Sequence, residues 1–194
     1  SQMEVMGYYA LGDGATSSWT DLFGKQYPEH NPNRTGLFSR VILGWYGLDS
    51  SGALLTQTNS GYVRPEGWEN VLSALDQYGI AGDMMVFMSD GNYEVTSLLE
   101  SEAAMQRAVD NIAREAQAYS GVNLDLEGLG MSQTGEELLQ VRNSFNQFVS
   151  LLSSQLKDSG KKLSLSLHPL NSSFAGYDYA TLGRLADSLI IMAY

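Results

Sequence analysis

Apolar residues recur along this chain with two periods, and stretches of the two take turns from one end to the other. The clearest two-residue period is SGVNLDLEGLG at 120–130. Within 121–127, Val122, Leu124 and Leu126 alternate with Asn123, Asp125 and Glu127. Side chains on a strand point to opposite faces in turn, so the three polar groups share one side. Similar short apolar runs predict strands at 5–11, 37–48, 80–89, 162–167 and 188–194. Between them the period lengthens to three or four. Ser17 or Ser18 can cap a short helix through Trp19, Leu22 and Phe23. Pro65 suits the first turn of a helix carrying Trp68, Val71, Leu72 and Leu75, which Gly79 stops. Longer stripes predict helices at 102–119 (Met105, Ala108, Val109, Ile112, Ala116) and 136–157 (Val141, Phe145, Phe148, Val149, Leu152, Leu156). A short helix follows at 179–185. These stripes are read as core packing.

Strands alternating with helices imply parallel βα units. An open doubly wound sheet and a closed barrel both fit that pattern. The turn after the first strand, GYYALGDG, lacks the Gly-x-Gly-x-x-Gly spacing of a dinucleotide site, which disfavours the open sheet. Polar residues at the carboxyl ends of several strands favour the barrel, where active sites lie at that end. A barrel needs eight strands and typically ~250 residues. The expectation is therefore an α/β protein, a (β/α)8 TIM barrel with strands 1–6 present in one domain over 1–194 and its C-terminal part missing from this chain.

Bulk composition narrows the partners. Of 194 residues, 43% are hydrophobic and 17% charged, as in a globular domain with a substantial core. A net charge of −11 repels phosphate backbones, which argues against nucleic acid. There is no cysteine, so disulfides, thiolate metal sites and a Cys nucleophile are excluded. No apolar run reaches the ~18 residues of a membrane span. The opening SQMEVMGYYALGD shows no signal peptide, so an exported form would have a leader absent from this sequence.

SGVNLDLE resembles the strand-four signature of glycoside hydrolase family 18, the chitinase-like barrels, written Asp-Gly-x-Asp-x-Asp-x-Glu. Gly121, Asp125 and Glu127 match it, while Ser120 and Asn123 stand where the pattern has Asp. GYY at 7–9 is similar to the family's first strand, and IMAY at 191–194 to its sixth-strand Met-x-Tyr. YDYATLGRLADSLIIMAY at 177–194 and WYGLDSSGAL at 45–54 resemble the bacterial spore-germination branch, peptidoglycan-directed hydrolases often joined to cell-wall-binding modules.

The resemblance implies hydrolysis of a β-1,4-linked N-acetylglucosamine glycan, of peptidoglycan or spore cortex or of chitin, by a retaining, substrate-assisted route. In that route the sugar's own acetamide carbonyl attacks the anomeric carbon. Glu127 would be the general acid and later the base, holding its proton through like-charge repulsion from Asp125. Asp125 would orient the acetamide nitrogen and balance the oxazolinium charge. Tyr194 would bond the acetamide oxygen. Asn123 can hydrogen-bond but cannot titrate, so Asp125 is expected to be governed differently from its family counterpart. Leu126 replaces an aromatic.

Substrate contacts are expected from Asn123, Tyr8, Met192, Trp45 and His168. Each has a plainer reading: Tyr8 as interior packing, Trp45 (with Tyr46 and Trp68) as core, His168 as a bonded polar residue at a strand end. His30, in PEHNPN, reads as solvated loop. Two distant histidines without cysteine point to no metal, and no cofactor is expected. The implied setting is extracellular, at a cell wall or spore. The alternative is a non-catalytic, lectin-type member of the same fold, which retention of Glu127 disfavours. A third class is a structural surface protein using the barrel as a spacer.

Overall fold

The structure is a computed structural model that describes residues 3–9, 23, 25, 29–31 and 37–194. Its strands are β1 (Met6–Tyr9), β2 (Arg40–Leu48), β3 (Leu54–Leu55), β4 (Ala81–Ser89), β5 (Gly121–Glu127), β6 (Lys162–Leu167) and β7 (Ser188–Ile191). Its helices are α1 (Trp68–Gln77), α2 (Glu94–Leu99), α3 (Glu102–Glu115), α4 (Gly135–Asp158) and α5 (Tyr179–Leu185). The sheet order is β1-β2-β4-β5-β6-β7, every neighbouring pair parallel, with β3 antiparallel on the exit of β2.

One contact shows that this sheet is curled. The Tyr8 hydroxyl on β1 lies 2.8 Å from the Ser166 hydroxyl on β6. Those strands are four steps apart in the sheet, which in a flat sheet would separate them by about 19 Å. The six parallel strands therefore form part of a (β/α)8 barrel with its interior on one side and its helices on the other. Outward residues Val41, Leu43, Met84, Val86, Val122, Leu124, Leu163 and Leu165 form one buried core with Val71, Leu75, Val109, Ile112, Phe145, Phe148 and Leu152 of the helices.

Local chemistry sets the element ends. Ser101 caps α3 by accepting from the Ala104 amide, and Asp178 caps α5 by accepting from the Thr181 amide. The strands expected at 121–127 and 162–167 and the helix at 179–185 lie where the alternation put them. The last strand stops at Ile191, three residues early, and β2 starts at Arg40 rather than at residue 37. The helix expected from Pro65 begins at Trp68. The six-residue α2 was not expected at all. The helix expected near 17–23 lies outside the described residues except for Phe23, which is helical and fully buried. His30 is not simply a solvated loop residue: its Nδ1 lies 2.9 Å from the Tyr78 hydroxyl, and its ring packs edge-on to Phe23.

At the amino-terminal end of the barrel, Arg40 on β2 places Nη1 2.5 Å from Asp83 Oδ1 on β4, and its Nε lies 3.0 Å from Glu4. Burial pushes the Asp83 carboxyl up to about 6 despite the opposing pull of Arg40. Gly121, its partner on β5, leaves the room: a Cβ there would sit 2.9 Å from Asp83 Oδ1. A more exposed pair, Lys162 with Asp187 at 3.1 Å, flanks this floor.

Candidate active site

The alternation of β5 does what its sequence requires. Val122, Leu124 and Leu126 are buried beneath the helices, while Asn123, Asp125 and Glu127 face the barrel interior. Asn123 is fully buried, and both ends of its amide are engaged. Its Nδ2 donates to Ser164 Oγ at 2.9 Å, and its Oδ1 accepts from Ser166 Oγ at 3.2 Å. Ser166 in turn meets Tyr8, so the order Tyr8, Ser166, Asn123, Ser164 runs as one polar chain across three strands.

Asp125 stands one layer nearer the mouth. It is 5% exposed, and its Oδ1 has no hydrogen-bond partner. Its carboxyl is pushed up to about 7, first by burial, then by the charge of Glu127 and by hydrogen bonding with that side chain. Two neighbouring carboxyls on one strand face disfavour each other's ionisation. The upward shift favours the protonated form of Asp125 near neutral pH. Among the described residues, no ion pair joins either carboxyl.

Asp125 and Glu127 open into a cavity of about 410 Å³ at the carboxyl ends of the strands. Tyr8 and Tyr9 of β1 form one wall, with Ile42 and Gly44 of β2 and Met85 of β4 beyond them. Ile190, Ile191, Met192 and Tyr194 form the other. Tyr62, from the connection after β3, lies over Phe87 with ring centroids 4.9 Å apart and reaches the cavity. Burial raises the phenols of Tyr8 and Tyr62, and the Asp125 charge adds to both. The site is a mostly apolar hollow with a few convergent polar groups, the usual character of a small-molecule or glycan pocket.

Of the residues expected here, Glu127, Asp125, Tyr194, Tyr8 and Met192 come together on the cavity wall. Tyr194 is fully exposed at the mouth. Asn123 lies under the floor, where it supports the wall and does not form it. Trp45 is a correction. It is completely buried on the outer face of β2, edge-on to Tyr119, because positions 42 and 44 face inward and 45 faces the helices. His168 also stands off the cavity wall: its ring stacks on Phe174, and its Nε2 accepts from the Gly128 amide at 3.1 Å.

Sequence reading missed Ser166, Met85 and Tyr62 as site residues. The first left a signal, since Ser164 and Ser166 alternate with leucines in KLSLSL as the acids do in NLDLE. Met85 pairs with Asn123 across β4 and β5, which only the register reveals. Tyr62 lies in an aperiodic loop and left none. Among the described residues, no cluster of three His, Asp or Glu side chains is placed to hold a metal ion, and no helix is long and apolar enough to cross a membrane.

No family model matches this chain, and no curated protein does. Solved structures do. A chitinase from Chromobacterium violaceum ATCC 12472 is 25% identical with a TM-score of 0.74, over 98% of this chain and 56% of that one. A class V chitinase from Pseudomonas fluorescens Pf-5 is 25% identical with a TM-score of 0.75, over 98% and 54%. The spore cortex-lytic enzyme SleL of Bacillus megaterium QM B1551 is 14% identical with a TM-score of 0.68, over 98% and 42%, a likeness of fold. The chain spans about half the length of the solved structures it matches. These neighbours are chitinases and spore cortex-lytic enzymes, the two groups that the stretches at 120–127 and 177–194 were expected to resemble.

Proposed function

We propose that this chain carries the carboxylate-bearing part of a glycoside hydrolase that cleaves β-1,4-linked N-acetylglucosamine glycans with retention and substrate assistance. The observation that supports this most is the Asp125–Glu127 pair, with no ion-pair partner among the described residues, in a glycan-sized hollow at the carboxyl end of a curled parallel sheet. A pair of like charges out of water is unfavourable, and such arrangements cluster where a proton must be moved.

The chemistry follows from the pair's single proton. An acetamide N–H donating to Asp125 would favour the ionised aspartate. The shared proton would then pass to Glu127, where the leaving glycosidic oxygen needs it. The acetamide oxygen, held by the Tyr194 hydroxyl, would attack the anomeric carbon as that bond breaks. Ionised Asp125 would balance the oxazolinium charge. Glu127, now the base, would take a proton from the water that opens the ring. Within this class, peptidoglycan or spore cortex is favoured over chitin by the likeness of 45–54 and 177–194 to the germination branch, and such a substrate would put the protein outside the cell, at a cell wall or spore.

The test is Glu127→Gln in the full-length protein, assayed on a fluorogenic N-acetylglucosamine oligomer. Turnover should fall by roughly 10²–10⁴-fold, the usual contribution of a general acid, while glycan binding stays within about threefold. Unchanged turnover would remove Glu127 from the mechanism. A parent protein that binds the glycan without cleaving it would favour the lectin-type alternative.

A further inference from the structure

The backbone around Glu127 is held by a segment that never touches the cavity. Gly128 follows Glu127 directly with φ of +82°, a left-handed conformation that turns the chain out of β5. Its N–H donates to His168 Nε2 at 3.1 Å. The next amide, of Leu129, donates to the Tyr177 hydroxyl at 3.2 Å, and that hydroxyl donates to the Leu126 carbonyl at 2.5 Å. Gly176 N–H donates to the Leu129 carbonyl at 3.1 Å. Gly130, with φ of +79°, passes so close that a Cβ would lie 2.2 Å from Gly176 N. From the opposite side, the Asp90 amide donates to the Glu127 carbonyl at 2.9 Å. The residue before Glu127 and the two after it are therefore bonded to the stretch 168–177 beyond β6.

His168 is built to be a fixed acceptor. Its ring lies almost flat on Phe174, with centroids 4.0 Å apart and planes 18° from parallel, and Tyr177 closes in at 6.0 Å. Its own carbonyl accepts from the Tyr179 hydroxyl, so backbone and ring are both anchored. A ring nitrogen that accepts an N–H carries no proton, which assigns the neutral tautomer with hydrogen on Nδ1.

We infer that His168 is a positioning residue for Glu127: it holds the Gly128 amide, and so fixes the point at which the acid's backbone leaves β5. This rests on the hydrolase reading above and replaces the expected substrate contact by His168. The physical scale supports it. A misplacement of about 1 Å at the reacting centre can cost ~10²-fold in rate. The Gly128 turn has no side chain of its own with which to resist such a shift.

The experiment uses the full-length protein and three side chains at position 168. His168→Phe keeps the stack on Phe174 and deletes the acceptor. His168→Gln supplies an amide oxygen near the place of Nε2. The phenylalanine variant should lose ~10- to 100-fold in kcat with KM within about twofold, and the glutamine variant should recover to within about fivefold of the parent. Amide hydrogen exchange at 128–129, followed in parallel, should quicken in the phenylalanine variant and slow again with glutamine. A phenylalanine variant with parental kcat overturns the inference. So does a rise in KM alone, which would return His168 to substrate contact, and so does exchange that ignores the substitution. If the parent cleaves no glycan, the hydrolase reading fails and His168 loses its catalytic purpose; exchange then still decides whether the clamp exists. If the phenylalanine variant does not fold, His168→Leu, which also lacks an acceptor, carries the same comparison.

Discussion

Two aspartates lie in the same pair of strands at opposite ends of the barrel interior. Asp83 on β4 sits beside Gly121, and Asp125 on β5 sits beside Phe87. Both are buried, and burial pushes both upward, to about 6 and about 7. Their company differs. Asp83 has a guanidinium at 2.5 Å; Asp125 has another carboxylate and keeps one oxygen unbonded. Burial alone therefore does not mark the working end of this fold. The two ends differ instead in counter-charge: among the described residues Asp125 has no cation beside it, and a site shaped only by stability would satisfy or remove such a group.

The strongest way to break the comparison is to take the cation from the floor. Arg40→Met leaves Asp83 as alone as Asp125 and should destabilise the protein by ~3–5 kcal/mol in urea unfolding at pH 8. Adding Asp83→Leu to it should return most of that loss, because an apolar pair is often as stable as a buried ionic one. A loss under ~1 kcal/mol for Arg40→Met alone would mean that Asp83 tolerates isolation, and the contrast between the two ends would collapse.

A smaller effect sharpens the contrast at the mouth. Asp125 binds its proton more tightly folded than unfolded, so between pH ~4 and ~7 the folded state holds more protons and stability falls as pH rises. Asp83 adds the same sign between ~4 and ~6. Asp125→Asn should remove its share, raising stability more at pH 8 than at pH 4, read as Tm against pH. A variant whose Tm falls with pH as steeply as the parent's would place the linkage elsewhere. The smallest effect belongs to the exposed rim: Lys162→Ala, which breaks the pair with Asp187, should cost under ~0.5 kcal/mol in the same unfolding assay.

Much of this was legible from the chain because β5 and β6 carry polar residues at every second position, so their inward faces announce themselves. β2 does not. Its run RVILGWYGL is apolar at nearly every place, as expected of a parallel strand buried on both faces, and so gave no hint that Gly44 faces in while Trp45 faces out. A bulge between Leu43 and Tyr46 complicates that strand further. The helix Glu94–Leu99 escaped notice because fewer than two turns cannot display a helical period. The Arg40–Asp83 pair joins residues on different strands, and no local pattern encodes such a meeting. The same holds for His168 and Gly128, whose bond depends on how two loops fold over the sheet.

The link between Tyr8 and Ser166 also bears on how the molecule assembles. It joins positions 158 residues apart, so its loop-closure entropy is recovered only after the intervening βα units have formed. Each of those units can dock on its predecessor through nearer contacts as synthesis proceeds. The curvature that brings the first strand across to the sixth then belongs among the last folding events. A half-assembled chain would have β5 in place and its two carboxyls attached, yet no hollow for them to serve.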